Sequence, residues 1–125
     1  MRTISFTNNW NNKLNNKAFS TLRLHNPSKY VVGLEYTIEL NGRVLGTAIL
    51  KEKRVLNTAQ LNEFICHLDT GYNKTQTLKI LERMYPNLTV NRALFDFCLL
   101  VYTKVKEAQP VKHNEQIQLR LPYKD

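Results

Sequence analysis

Two periodicities divide this chain. From Leu34 to Leu40 apolar side chains recur at every second position, Leu34, Tyr36, Ile38 and Leu40, the mark of a strand with one buried face. Asn41-Gly42 follows, two residues that accept positive φ, so the chain is expected to fold back as a hairpin whose return strand runs from Arg43 to about Leu50. Gly46 marks a place for a bulge in that strand, and Lys51 to Leu56 either extends it or forms the next one. Upstream, Arg2 to Phe6 alternates loosely as a first strand. Ser20 to Leu24 is a short second one: Leu22 and Leu24 share one face, Thr21 and Arg23 the other.

The pattern then changes to the helical period. Leu61, Phe64, Ile65 and Leu68 stand at i, i+3, i+4 and i+7 after the capping pair Asn57-Thr58, which predicts a helix near 58–68 with those four as its apolar face. A second helix is expected over 74–85, with Leu78, Leu81 and Met84 inward and Pro86 preventing its continuation. Residues 93–105 are apolar with almost no interruption before Tyr102, as in a central strand covered on both sides. Between the first two strands six asparagines surround Trp10 and Leu14; this stretch reads as a short helix or helical turn near 10–18. Strands and helices are segregated, so the expected class is α+β: a curved sheet or small β-barrel flanked by short helices.

Composition narrows the function classes. At 125 residues and 42% apolar content there is room for one domain with a real core. No segment approaches the roughly 18 apolar residues of a membrane span, and no hydrophobic leader follows Met1, so a cytoplasmic protein without membrane association is expected. Cys66 and Cys98 lie in apolar stretches without CxxC spacing and read as reduced core thiols. The formal charge is +8, and residues 1–56 hold nine Lys/Arg against three Glu, so an anionic partner belongs to the first half. Scattered surface lysines that maintain solubility would give the same count.

Phosphate-loop, dinucleotide-fold, HExxH and GxSxG signatures are all missing. His25, His67 and His113 are far apart, so no metal is expected, and no cofactor. The remaining constellation is dispersed: Lys17-Ala18-Phe19-Ser20-Thr21-Leu22-Arg23, then Tyr30-Val31-Val32-Gly33, then Leu40-Asn41-Gly42 with Gly46, then Tyr85-Pro86. In that order it resembles the ASCH family of the PUA-like superfamily over about residues 4–104, with 1–107 as the domain and 108–125 as a C-terminal extension, either an extra strand or a tail.

The resemblance implies a PUA-like barrel and binding of RNA or a nucleotide. One branch of similar size hydrolyses acetylcytidine with a Lys, a Thr and a carboxylate in a cleft over the barrel. Carried over, these roles fall on Lys17 as base, Thr21 as nucleophile and Asp69 as proton shuttle. Lys17 stands one residue further from Thr21 than in that branch, and Asp69 one residue from the position its carboxylate would occupy, which falls on Thr70. For binding, Arg23 and Lys29, with Lys17, Lys53 and Arg54, would meet phosphate, while Trp10, Tyr30, Tyr36 or Tyr72 would stack a base. Three readings remain open: a nucleotide- or RNA-binding module, a small amidohydrolase, and a protein-interaction domain that kept only the scaffold. Thr21 and Arg23 equally fit the solvated face of an edge strand.

Overall fold

The computed structural model describes residues 2–106; the expected extension at 108–125 lies outside the described residues. Five strands, β1 (Arg2–Phe6), β2 (Ala18–Leu24), β3 (Glu35–Leu40), β4 (Arg43–Asn57) and β5 (Leu94–Val105), form one sheet in the order β1-β3-β4-β5-β2. The β1–β3 pair is parallel and the others antiparallel, and the mixed sheet curls into a half-barrel, a small α+β fold.

The expected hairpin is present: Leu40 pairs with Arg43 across Asn41 (φ 52) and Gly42 (φ 80), a reversal whose twist suits two antiparallel strands. The bulge falls beside Gly46, where the register slips between Ile38↔Gly46 and Glu39↔Val44. A Cβ on Gly46 would stand 2.2 Å from the Lys104 carbonyl oxygen of β5, so only glycine lets the strands approach here. Gly46→Ala is expected to cost about 1–3 kcal/mol through this overpacking. Urea unfolding checks it; an unchanged midpoint would show that β5 gives way freely.

Lys51 to Leu56 extends β4 rather than starting a new strand. β5 is central in the sheet as expected, but it is not covered on both sides along its whole length. Phe95 and Phe97 pack against the helices, whereas Leu99 and Val105 are exposed. Two cores result. The larger fills the half-barrel with Ile4, Phe6, Phe19, Tyr36, Ile38, Leu50, Leu100 and Tyr102. The smaller lies between the sheet and the helices, around Leu22, Leu61, Cys66, Leu81 and Phe95.

Helix α1 (Glu63–Thr70) starts later than the apolar period predicted, because Asn62 caps it by accepting from the Ile65 N–H; residues 58–60 form a separate 3-10 turn capped by Asn57. Its buried face also differs. Phe64 and Leu68 are 72% and 56% exposed, while Cys66, Asp69 and Thr70 point inward. The reason is polar: Asp69 is drawn to partners on the sheet side, and the Thr70 hydroxyl donates to the Cys66 carbonyl and meets the Thr77 hydroxyl at 2.9 Å. Helix α2 (Lys74–Met84) turns Thr77, Ile80 and Leu81 inward, with Leu78 half-buried and Met84 exposed. None of these helices is long and apolar enough to cross a membrane.

Candidate functional site

The period-two reading of β2 decides what reaches the site. With Leu22 and Leu24 packed toward the helices, Thr21 and Arg23 share the opposite face, and the Arg23 Nε donates to Thr21 Oγ1 at 2.9 Å. Thr21 is only 3% exposed. The Arg23 guanidinium also lies over the Phe6 ring, 4.5 Å from its centroid, a cation–π contact that ties the side chain to the end of β1.

The lysine that joins them is Lys13. It stands in the 3-10 segment Trp10–Asn15, where Asn11 and Asn12 adopt left-handed backbone (φ 59 and 54). Asparagine tolerates that conformation better than most residues. The kink is pinned at both ends: the Leu14 N–H donates to Asn9 Oδ1 at 2.9 Å, and Asn11 Nδ2 donates to the Leu68 carbonyl at the end of α1 at 3.3 Å. Lys13 is thereby pushed inward until Nζ lies 2.9 Å from Asp69 Oδ1, an ion pair with both side chains almost wholly buried. The same Oδ1 accepts from the Ser20 hydroxyl at 2.7 Å. Burial lowers the Lys13 pKa from its ordinary value, and the charge of Arg23 adds to that; Asp69 acts in the opposite direction and does not cancel it.

These groups line one cleft of about 610 Å³ between the end of β1, strand β2 and the two helices. Its lining includes polar Lys13, Thr21, Arg23 and Asp69 and apolar Phe6, Ile80 and Leu81, with Trp10 and Arg83 as well. A mixed polar and apolar lining around this volume fits a small-molecule site, for which roughly 300–1,000 Å³ is usual.

Of the residues named from the sequence, Thr21, Arg23, Asp69 and Trp10 converge here. Lys17 does not: its side chain is exposed, and its backbone carbonyl accepts from the Tyr102 N–H of β5. Tyr72 is half-exposed and supports Trp10 edge-on at 5.6 Å rather than lining the cleft. Tyr30 is buried in the main core, its phenol pushed up to about 12 by burial, and Lys29 lies over its ring at 5.5 Å; neither belongs to the cleft lining. Tyr36 is likewise buried in the core, its hydroxyl donating to the Lys29 carbonyl at 2.7 Å, and Lys53 is committed to the Tyr30 carbonyl. The sequence reading missed Lys13 and Ser20. A one-residue alternation from Thr21 would place Ser20 on the wrong face, and the double left-handed turn removes any periodic signal from Lys13.

Beside the cleft, Asp96 is completely buried, opposite Arg23 in the β2–β5 register. It accepts from the Asn26 N–H and meets His25 Nδ1, each at 2.8 Å, which fastens the turn after β2. Cys66 and Cys98 are free and buried, with thiols raised by burial, Cys98 to about 12. Among the described residues no three His, Cys, Asp or Glu side chains converge to hold a metal ion.

No family model matches the sequence, and no curated protein matches it. The fold does have a counterpart among solved structures. The crystal structure of a protein from Enterococcus faecalis V583, assigned to the family model DUF984, superposes with a TM-score of 0.61 over 90% of this chain and 87% of that one, at 7% identity. That likeness is one of fold, and it places the chain among small curled-sheet proteins.

Proposed function

We propose that the cleft binds a nucleoside or nucleotide, as the sequence resemblance to the ASCH family implies. The observation that carries this reading is the Arg23 guanidinium over the Phe6 ring, with Lys13 Nζ 5.8 Å from the centroid of the same ring, at the wall of a cleft sized for one nucleoside rather than a long RNA strand. Arg23 uses Nε on Thr21, which leaves the rest of its planar fork for a ligand in the cleft it lines. Trp10 is the only tryptophan of the chain and lines the cleft, so its fluorescence reports occupancy directly.

Titration with nucleosides, their 5′-monophosphates and short RNAs tests the proposal. Arg23→Ala is expected to weaken binding by about 1–3 kcal/mol, the worth of a charged hydrogen bond in a sheltered site. Affinity for the monophosphates should also fall more steeply with salt than affinity for the nucleosides. No change in Trp10 emission with any of these ligands at low salt would leave the basic residues as solubility features.

A second reading, the amidohydrolase, is favoured by one specific feature: a buried lysine with a lowered pKa shares the cleft with Thr21. Arg23 donates to the threonine oxygen and so favours its alkoxide form, while neutral Lys13, which is not hydrogen-bonded to Thr21, would take the hydroxyl proton through a bridging water. Thr21 Oγ1 would then attack the acyl carbon, the amine would leave with a proton passed through Lys13 and Asp69, and water would release the acid from the ester.

A further inference from the structure

Among the described residues the half-barrel does not close: β1 and β2 are the two ends of the sheet, and the Phe6 and Phe19 rings meet at 6.1 Å without any pairing between these two strands. A strand residue sends its N–H and C=O to the same side, and successive residues alternate. In β2 the direction is set at both ends. The Lys17 carbonyl accepts from Tyr102 and the His25 N–H donates to Leu94, both toward β5, and the register between them runs without a shift. Odd-numbered residues of β2 therefore bond to β5, and even-numbered ones face the gap. Leu24 agrees, its N–H donating to the Tyr85 hydroxyl at 3.2 Å, away from β5. Leu22 is the even-numbered residue in the cleft lining. On the opposite bank the Phe6 carbonyl accepts from the Asn41 N–H, on the β3 side. Ser5 consequently turns its main chain to the gap, and it too lines the cleft.

We propose that this gap is the specificity element of the binding site: the main-chain N–H and C=O of Leu22, with those of Ser5 facing them, read the hydrogen-bonding edge of a planar nitrogen heterocycle. The inference rests on the nucleoside-binding reading and adds how the base is recognised. An extended backbone edge presents a donor beside an acceptor, the pattern that the amide-like edge of a pyrimidine or adenine complements. Leu22 is buried, and buried main-chain groups need partners, which a ligand edge supplies. The Arg23 guanidinium lies over the Phe6 ring, 4.5 Å from its centroid, so two planar groups stand together in the lining. An extended peptide adding itself as a strand is disfavoured, because Trp10, the buried Lys13–Asp69 pair and residues of α2 line the same cleft as Leu22 and Ser5.

The test compares cytidine, uridine and adenosine with counterparts whose edge donor is methylated: cytidine and adenosine dimethylated on the exocyclic amine, uridine methylated on its ring N–H. Trp10 fluorescence gives the affinities of the full chain, and amide hydrogen exchange followed by NMR gives the main-chain contacts. For whichever parents bind, methylation is expected to weaken binding at least tenfold, because a site built to bond a donor rejects the analogue lacking it. Exchange at the Leu22 and Ser5 amides should slow with the parent and not with its methylated form. Equal affinity for parent and methylated ligand, with binding still lost in Arg23→Ala, would overturn this inference and keep the binding reading. Absence of binding by all three parents would overturn both. Slowed exchange at Leu22 with an extended peptide but with no nucleoside would replace the heterocycle with a strand.

Discussion

Asp69→Ala is expected to lower the unfolding free energy by about 3–5 kcal/mol, the usual cost of stripping one partner from a buried ion pair. Lys13 would remain behind with its ammonium out of water, and the Ser20 hydroxyl would lose its acceptor. The pH dependence identifies the cause. In the folded wild type Lys13 already ionises below its ordinary value of 10.5, and Asp69 is what limits that depression. Without Asp69 the folded pKa drops further. Below it the full penalty applies; as pH rises through it toward 10.5, the unfolded chain binds more protons than the folded one, and stability is regained. The gap between wild type and variant should thus be widest near neutral pH and narrow in alkali. Combining Lys13→Met with Asp69→Leu removes both charges and should recover much of the loss, since apolar replacement of a buried pair is often neutral. Guanidinium unfolding across pH measures all of this. A loss under 1 kcal/mol that does not vary with pH would mean the pair contributes little to the fold.

The same pair explains why the sequence reading reached the sheet and half of the cleft but not its lysine. Alternation is a local property of a strand, so Leu34 to Leu40, the Asn41-Gly42 reversal and the opposed faces of β2 were all legible, and with them the meeting of Thr21 and Arg23. In α1 the apolar period pointed to Phe64 and Leu68, yet the helix is rolled so that Asp69 and Thr70 face inward. A polar site can override apolar burial there because its hydrogen bonds are made in a sheltered place, where leaving them unmade costs more than exposing two side chains. Lys13 was hidden for a different reason. Its direction depends on two consecutive left-handed asparagines and on Asn11 grasping the end of α1 more than fifty residues later, information that no window of spacing contains. The resemblance pointed to Lys17 by its distance along the chain; the fold supplies a lysine from the preceding turn instead.

That exchange of lysines makes the sharpest distinction between enzyme and binder. If the cleft deacylates a modified nucleoside, Lys13→Ala is expected to reduce turnover of acetylated cytidine by about 10²–10⁴-fold, the range a positioned general base contributes. Thr21→Ala should be comparably inactive, and the double variant no worse than either, because groups that act as one unit lose their effect together. Lys17→Ala should turn over like wild type, its side chain lying in solvent. The wild-type rate should rise with pH as Lys13 loses its proton, and the rising limb should lie below the ordinary lysine value because burial has lowered the pKa. Retained folding of Lys13→Ala is checked by its unfolding midpoint, and retained binding by Trp10 fluorescence with cytidine. If Lys17→Ala is inactive while Lys13→Ala turns over normally, the base is misassigned and the buried pair is architecture alone. If wild type releases no acetate from acetylated cytidine while cytidine still quenches Trp10, the Lys13–Asp69 pair serves to shape a binding cleft, and Thr21 serves to hold Arg23 over Phe6.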